Sequence, residues 1–156
     1  MITGKVIKDT VTKKLSRRIA SGQIALIMHK DLDRTAAQEL AAKKVKAVIN
    51  LKPFISGGYP HQGPLILLQA GIVLYRAKEK LWNLVFEGDE VKIKKGVLYK
   101  NSQPVGKCDL LSRSQVTEKI RQAKAGLKYN LNNFIDNSLK YAVQEKNVIL
   151  NICPPV

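Results

Sequence analysis

The chain has 156 residues, 45% of them apolar, with 27 Lys plus Arg against 12 Asp plus Glu and a formal net charge of +15. That length suits one domain of ordinary size or a smaller domain with an appended helix, and the apolar fraction supports a folded core and argues against disorder. No run of eighteen apolar residues occurs, which excludes a transmembrane span within these residues, and the charged N-terminus is followed by no apolar core of a secretion signal.

In chain order, Ile2, Val6 and Ile7 read as an arm or strand, followed by a short helical turn through Leu15 and Ile19 that Ser21-Gly22 closes. Ile24 to Met28 is a short apolar run, as expected of a strand covered on both faces. From Asp31 to Ala42 the period changes: Leu32, Ala36, Ala37, Leu40 and Ala41 share a helical face, with Asp31 or Asp33 placed to cap its start. Val45 to Ile49 is a second buried strand, which makes a β-α-β unit. After a Pro/Gly-rich loop, Pro64 suits the first turn of a helix over 65–70 and Gly71 its stop. Ile72 to Leu74 resumes strand, and Leu81 to Val85 reads as another short helix, with Trp82 and Phe86 as core anchors. Alternation around Lys95-Gly96 predicts a hairpin, and Val105 begins a last edge segment.

Beyond Leu111 the pattern is helical to about Lys146, carried by Val116, Ile120, Ala123, Leu127, Leu131, Phe134, Ile135, Leu139 and Ala142, with Ser112 or Ser114 as cap. Such a helix spans about 50 Å, more than this domain can cover, so residues 116–142 are expected to meet a second copy or another domain. Val148 to Ile152 reads as a strand opening a following unit. The expected organisation is therefore a domain over 1–111, a connecting helix over 112–147 and the start of a further domain over 148–156. Cys108 and Cys153 match no metal spacing and read as reduced thiols of a cytosolic protein.

The loop from Asn50 to Pro64 concentrates the candidate site residues. His61 is a candidate general base, phosphate ligand or phospho-acceptor, set against the plainer reading of a loop histidine bonded to backbone; no second histidine, Ser-His-acid order or metal spacing accompanies it. Ser56, Gly57 and Gly58 could bind an anion through consecutive amides, or simply permit a tight turn; they match no nucleotide fingerprint. Tyr59, before Pro60, suits an exposed contact. The run His29 to Arg34 lies where a strand gives way to a helix, the usual ligand edge of an α/β sheet. Of its two carboxylates, one is expected to cap the helix and the other to meet Arg34 or a loop lysine. The ligand- or partner-binding set is thus Asp31, Asp33, Arg34, Asn50, Ser56, Gly57, Gly58, Tyr59, Pro60, His61 and Gly63. The charge suits an anionic partner (nucleic acid, an anionic membrane face or a phosphorylated ligand) and equally an ordinary solvated lysine-rich surface. The lysines lack the interleaved aromatics of an RNA-binding sheet, and no DNA recognition helix is evident, so nucleic acid is the lowest of the readings.

His29-Lys-Asp-Leu-Asp-Arg34 with Ala36-Ala37, then Ala47-Val-Ile-Asn50, Ile55-Ser-Gly-Gly-Tyr-Pro60, Gly63-Pro64, Ala70-Gly-Ile72 and Gly88-Asp-Glu-Val91, resemble the N-terminal region of the SteA-like cytokinetic-ring proteins over nearly the whole chain. The resemblance implies a bacterial cell-division protein, acting with a membrane partner protein. It further implies a domain similar to thiamine pyrophosphokinase downstream, where ATP and thiamine would bind, and a C-terminal membrane anchor beyond it. This chain would be the cytoplasmic part, with no cofactor and no catalysis of its own. Members commonly carry Arg and Asn where this chain has Gly58 and His61, which counts against His61 as a catalytic residue of the family. Gly57, His61, the helix after them and Ala70-Gly71-Ile72 also resemble the phosphohistidine swivelling domains. That likeness implies a mixed-sheet, swivelling β/β/α-like architecture, and keeps phosphotransfer through His61 beside a pyrophosphokinase-related enzyme as catalytic alternatives.

Overall fold

The computed structural model describes residues 1–57 and 59–129. Its strands are β1 (Ile2–Asp9), β2 (Ile24–Ile27), β3 (Ala47–Asn50), β4 (Val73–Arg76), β5 (Glu90–Lys94), β6 (Val97–Lys100), β7 (Gln103–Lys107) and β8 (Asp109–Leu110). The helices are α1 (Thr12–Arg18), α2 (Arg34–Ala42), α3 (Gly63–Gln69) and α4, which runs over 113–129. The strands form one mixed sheet in the order β7-β6-β5-β1-β2-β3-β4-β8, so the chain is the α/β domain with a C-terminal helix that its periodicities predict.

β1 serves two pairings. Its first half, Ile2 to Lys5, runs antiparallel to β5, and its second half, Val6 to Asp9, runs parallel to β2. Just before the change of partner, Gly4 permits a close approach: a Cβ on it would stand 3.2 Å from the Gly22 carbonyl oxygen. At the far ends, β7 and β8 are separated by Cys108 alone. Two residues of chain span at most about 7 Å, so the sheet curls until its opposite edges nearly meet.

The curl produces three layers. β2 and β3 are buried on both faces, as their unbroken apolar runs require. Ala25, Ile27, Val48 and Leu74 face the helical layer with Leu15, Ile19, Ala37, Leu40 and Leu67. Ile24, Leu26, Ala47 and Ile49 face the antiparallel layer with Leu81, Val85, Val91, Ile93 and Leu98. Full burial of one such Leu or Ile contributes about 2 kcal/mol. α4 joins the helical layer through Val116, Ile120 and Ala123, all buried. It starts in a capping box: the Ser112 hydroxyl accepts from the Gln115 amide at 3.2 Å, and the Gln115 side chain accepts from the Ser112 amide at 2.8 Å. The residues 130–142 of the expected assembly stripe lie outside the described residues, as do 148–156 and Cys153.

Two expectations need correction. The segment after β4 is a 3-10 helix, Glu79–Asn83, ending before Val85. Phe86 is not a core anchor; it is 56% exposed, with the Lys8 and Lys100 ammonium groups 5.4 and 4.7 Å from its ring. Val85 takes the core position instead, because the turn at Gly88-Asp89 rotates Phe86 outward: the Asp89 carboxylate accepts from the Phe86 amide at 2.7 Å. Among the described residues, no helix is long and apolar enough to cross a membrane.

Candidate functional site

The parallel strands β2, β3 and β4 all end on one edge, and the loops that leave it carry the candidate residues. Asp33 caps α2, its carboxylate accepting from the Ala36 amide at 2.8 Å. This leaves Arg34 as the first helical residue, exposed, with no ion pair among the described residues. Asp31 is held in the left-handed region at φ 58°, which turns its side chain across to the β3–α3 loop. There it accepts from the Ser56 amide at 2.6 Å and the Ser56 hydroxyl at 2.8 Å. Asp31 thus meets a serine where a cation was expected. The backbone explains the choice: the Asp31 and Leu32 amides donate to the Pro53 and Phe54 carbonyls at 2.9 and 3.1 Å, so the two loops run side by side and Ser56 arrives opposite the carboxylate. Partial burial works to raise the Asp31 pKa. The two Ser56 hydrogen bonds, with the charges of His61 and Lys30, outweigh it and hold the carboxyl below its ordinary value.

The same loop is closed at its other end by Gly63. A Cβ there would lie 2.2 Å from the Leu32 carbonyl oxygen and 2.7 Å from that of Asp33, so only glycine lets α3 begin against the β2–α2 turn. Gly57 adopts φ 104°, the tight-turn role open to it in the sequence. Between these fixed points Tyr59 stands 56% exposed. Its ring centroid is 4.9 Å from that of His61 at an interplanar angle of 57°. Pro60 is bracketed by a tight turn in which the His61 amide donates to the Tyr59 carbonyl at 2.9 Å. The His61 ring is half-buried and bonds no other described residue. Gly58 lies outside the described residues.

Asn50 is spent on architecture. It is fully buried, its side-chain oxygen accepts from the His29 and Lys52 amides, both at 3.0 Å, and its amide donates to the His29 carbonyl at 2.8 Å. Every polar atom it has on the edge is engaged in holding two loops in register. Reading from sequence missed two neighbours. Thr12, buried at the start of α1, shares a 2.7 Å hydrogen bond with His29 Nδ1. Arg76 ends β4, with Nη1 donating to the Asn50 carbonyl at 2.7 Å and the Ala77 carbonyl at 3.1 Å; burial pulls its pKa down from the usual arginine value. The signal for Arg76 was positional, a charged residue at the carboxyl end of a parallel strand.

Apart from Arg34, exposed at the start of α2, the described residues therefore fall into two groups. Asp31, Ser56, Gly57, Tyr59, Pro60, His61 and Gly63 form one braced loop surface, while Asp33 and Asn50 are the braces behind it. No hydrogen-bonded chain of nucleophile, base and orienting acid is present among the described residues, and none of their His, Cys, Asp and Glu side chains group to hold a metal. The arrangement can present a shaped surface.

The chain matches no family model and no curated protein. Solved structures do match, among them the 3-isopropylmalate dehydratase (leuD) of Methanocaldococcus jannaschii, at 12% identity over 83% of this chain and 98% of that one, with a TM-score of 0.48. At that identity and superposition the likeness transfers neither substrate nor chemistry.

Proposed function

We propose that this chain is a non-catalytic assembly and recognition domain of a bacterial cell-division protein of the SteA-like kind, with the Ile55 to Gly63 loop as its recognition surface. The observation that carries the recognition reading is the bracing of that loop. Asp31 clamps one end through Ser56, Gly63 seats the other, and the exposed Tyr59 ring is displayed between them against His61. Anchoring at both ends reduces the freedom that contact must remove, which favours binding. The cell-division assignment rests on the motif resemblance from His29 to Pro64.

In this reading α4 and the residues after it couple the recognition domain to a second copy and to a pyrophosphokinase-like domain, where ATP and thiamine chemistry would reside, ahead of a membrane anchor. The test is the cellular position of a fluorescent fusion. The wild-type chain should gather at the division site, and Tyr59→Ala should disperse it. Uniform distribution of the wild type would overturn the assignment. Stable radiolabelling of His61 from ATP or phosphoenolpyruvate would instead make the domain a phosphotransfer module.

A further inference from the structure

Two hollows adjoin at the seam where the curled sheet brings its edges together. One, of about 390 Å³, is lined by Leu81, Val97, Pro104, Val105 and Gly106. The other, of about 530 Å³, is lined by Lys30, Lys52 and Arg76 with Glu79 and Asp109. Lys78 and Lys107 line both, with Lys80 beside them in the first and Leu51, Pro53 and Ala77 in the second, so the two make one groove, its apolar end at Val105 and its cationic end at Arg76.

Both halves are built by the fold. In the apolar half, the β6–β7 register passes from Leu98↔Gly106 to Tyr99↔Pro104, leaving Val105 as the extra residue of a bulge. Bulges re-aim side chains, and this one sets Val105 on the groove. Gly106 keeps the space open, since a Cβ on it would come within 3.3 Å of Leu81 Cδ1. In the cationic half, Arg76 is fixed by two backbone carbonyls, one of them from the fully buried Asn50. Lys52 is engaged by Glu79. Lys30, Arg76, Lys78 and Lys107 form no salt bridge among the described residues, and Asp109, the register partner of Arg76, is the one carboxylate left beside them.

We propose that this groove binds an anionic amphiphile: a single phosphate monoester carrying an apolar chain, with the phosphate on Arg76, Lys78 and Lys107 and the chain along Val105 and Leu81. Charge complementarity selects the head: Lys30, Lys52, Arg76, Lys78 and Lys107 line the hollow against Glu79 and Asp109, and Glu79 is already paired with Lys52. The volume, within the range of small-molecule sites, selects one molecule rather than a bilayer face. The groove takes no residue from the Ile55 to Gly63 loop, so this site stands or falls separately from the recognition surface.

The probe is monomeric decyl phosphate, titrated calorimetrically into the whole chain. Saturable binding at one per chain is expected, at least about tenfold tighter than for inorganic phosphate or decanol. The paired Lys78→Glu and Lys107→Glu variant, at exposed positions, should weaken it by about tenfold or more. Pro104→Ser, a neutral polar change, should weaken decyl phosphate while leaving inorganic phosphate unchanged. Lys13→Glu with Lys14→Glu, on the distant α1 surface, should leave the affinity within about twofold. Equal binding of inorganic phosphate would overturn the proposal. So would an equal loss from the α1 pair, which would mean general attraction to a +15 chain, or binding to phosphatidic acid vesicles with none to the monomer.

Discussion

The Asp31 carboxylate accepts both the amide and the hydroxyl of Ser56 across 25 positions of sequence, at 2.6 and 2.8 Å. The pair joins the β2–α2 turn to the loop that carries Tyr59 and His61. Because Asp31 sits at φ 58°, asparagine is the conservative replacement, tolerating that backbone as alanine does not. Asp31→Asn should cost about 1 kcal/mol in urea unfolding, and Asp31→Ala about 2 kcal/mol.

The same pair sets a pH dependence. The folded-state pKa of Asp31 is depressed, chiefly because the Ser56 hydrogen bonds overcome partial burial. Its contribution is therefore present above the unfolded carboxylate pKa and lost as pH falls through the lower folded value. Protease cleavage within 56–62 should be slow at neutral pH and accelerate as acidification passes below the ordinary carboxylate range. In Asp31→Asn the loop should be cleaved faster at neutral pH, with a shallower acid response.

Asn50→Ala removes a side chain that satisfies two backbone amides and one carbonyl in a buried setting. Leaving them unpaired should cost about 3 kcal/mol. The midpoint of urea unfolding should fall with an unchanged slope, and Asn50→Asp should not restore it, since the His29 carbonyl would then face a second acceptor.

Gly63→Ala should be among the most damaging small changes in the domain. The added methyl would meet two backbone carbonyl oxygens, not a side chain that can move aside. Displacing α3 from the β2–α2 turn should cost about 3 kcal/mol, read as a lowered Tm. Gly126→Ala on α4, where no described atom lies within 4 Å of the added carbon, is the control and should be neutral or stabilising.

Cys108 is fully buried between β7 and β8, and burial, aided by Asp109, pushes its thiol up to about 12. In a Cys153→Ser background it should resist thiol reagents at about pH 8 until the chain unfolds. With the folded pKa above the ordinary 9.0, its burial favours the fold below that value and ceases to do so as pH climbs toward the folded one. Stability should therefore decline above about pH 9, and Cys108→Ala should flatten that decline.

The layers were legible wherever burial imposes a simple pattern. Ile24 to Ile27 and Ala47 to Ile49 are continuous apolar runs because both faces are covered. Asp33 and Ser112 are caps because a short polar side chain precedes a helical period. What could not be read was the partner of a polar side chain across the fold. Asn50 has the composition of a site residue and the environment of a core one, and only the approach of His29 and Lys52 decides between them. Asp31 was readable as one of two carboxylates but not as the clamp on Ser56, because that contact depends on a left-handed backbone angle. Phe86 failed for a related reason: a turn at Gly88-Asp89 exchanges the inward position between neighbours without altering the apolar count.

The most direct measurement is the division-site enrichment of fluorescent fusions carrying Tyr59→Ala or His61→Ala beside wild type, with each variant's Tm determined in parallel. Tyr59 is 56% exposed and belongs to neither hydrophobic core, so its replacement should leave the Tm unchanged. A recognition loop predicts that Tyr59→Ala loses the enrichment and that His61→Ala weakens it in step with the lost ring contact. The account is contradicted if Tyr59→Ala gathers like wild type, or if His61→Ala alone abolishes enrichment and the wild-type histidine is found carrying phosphate.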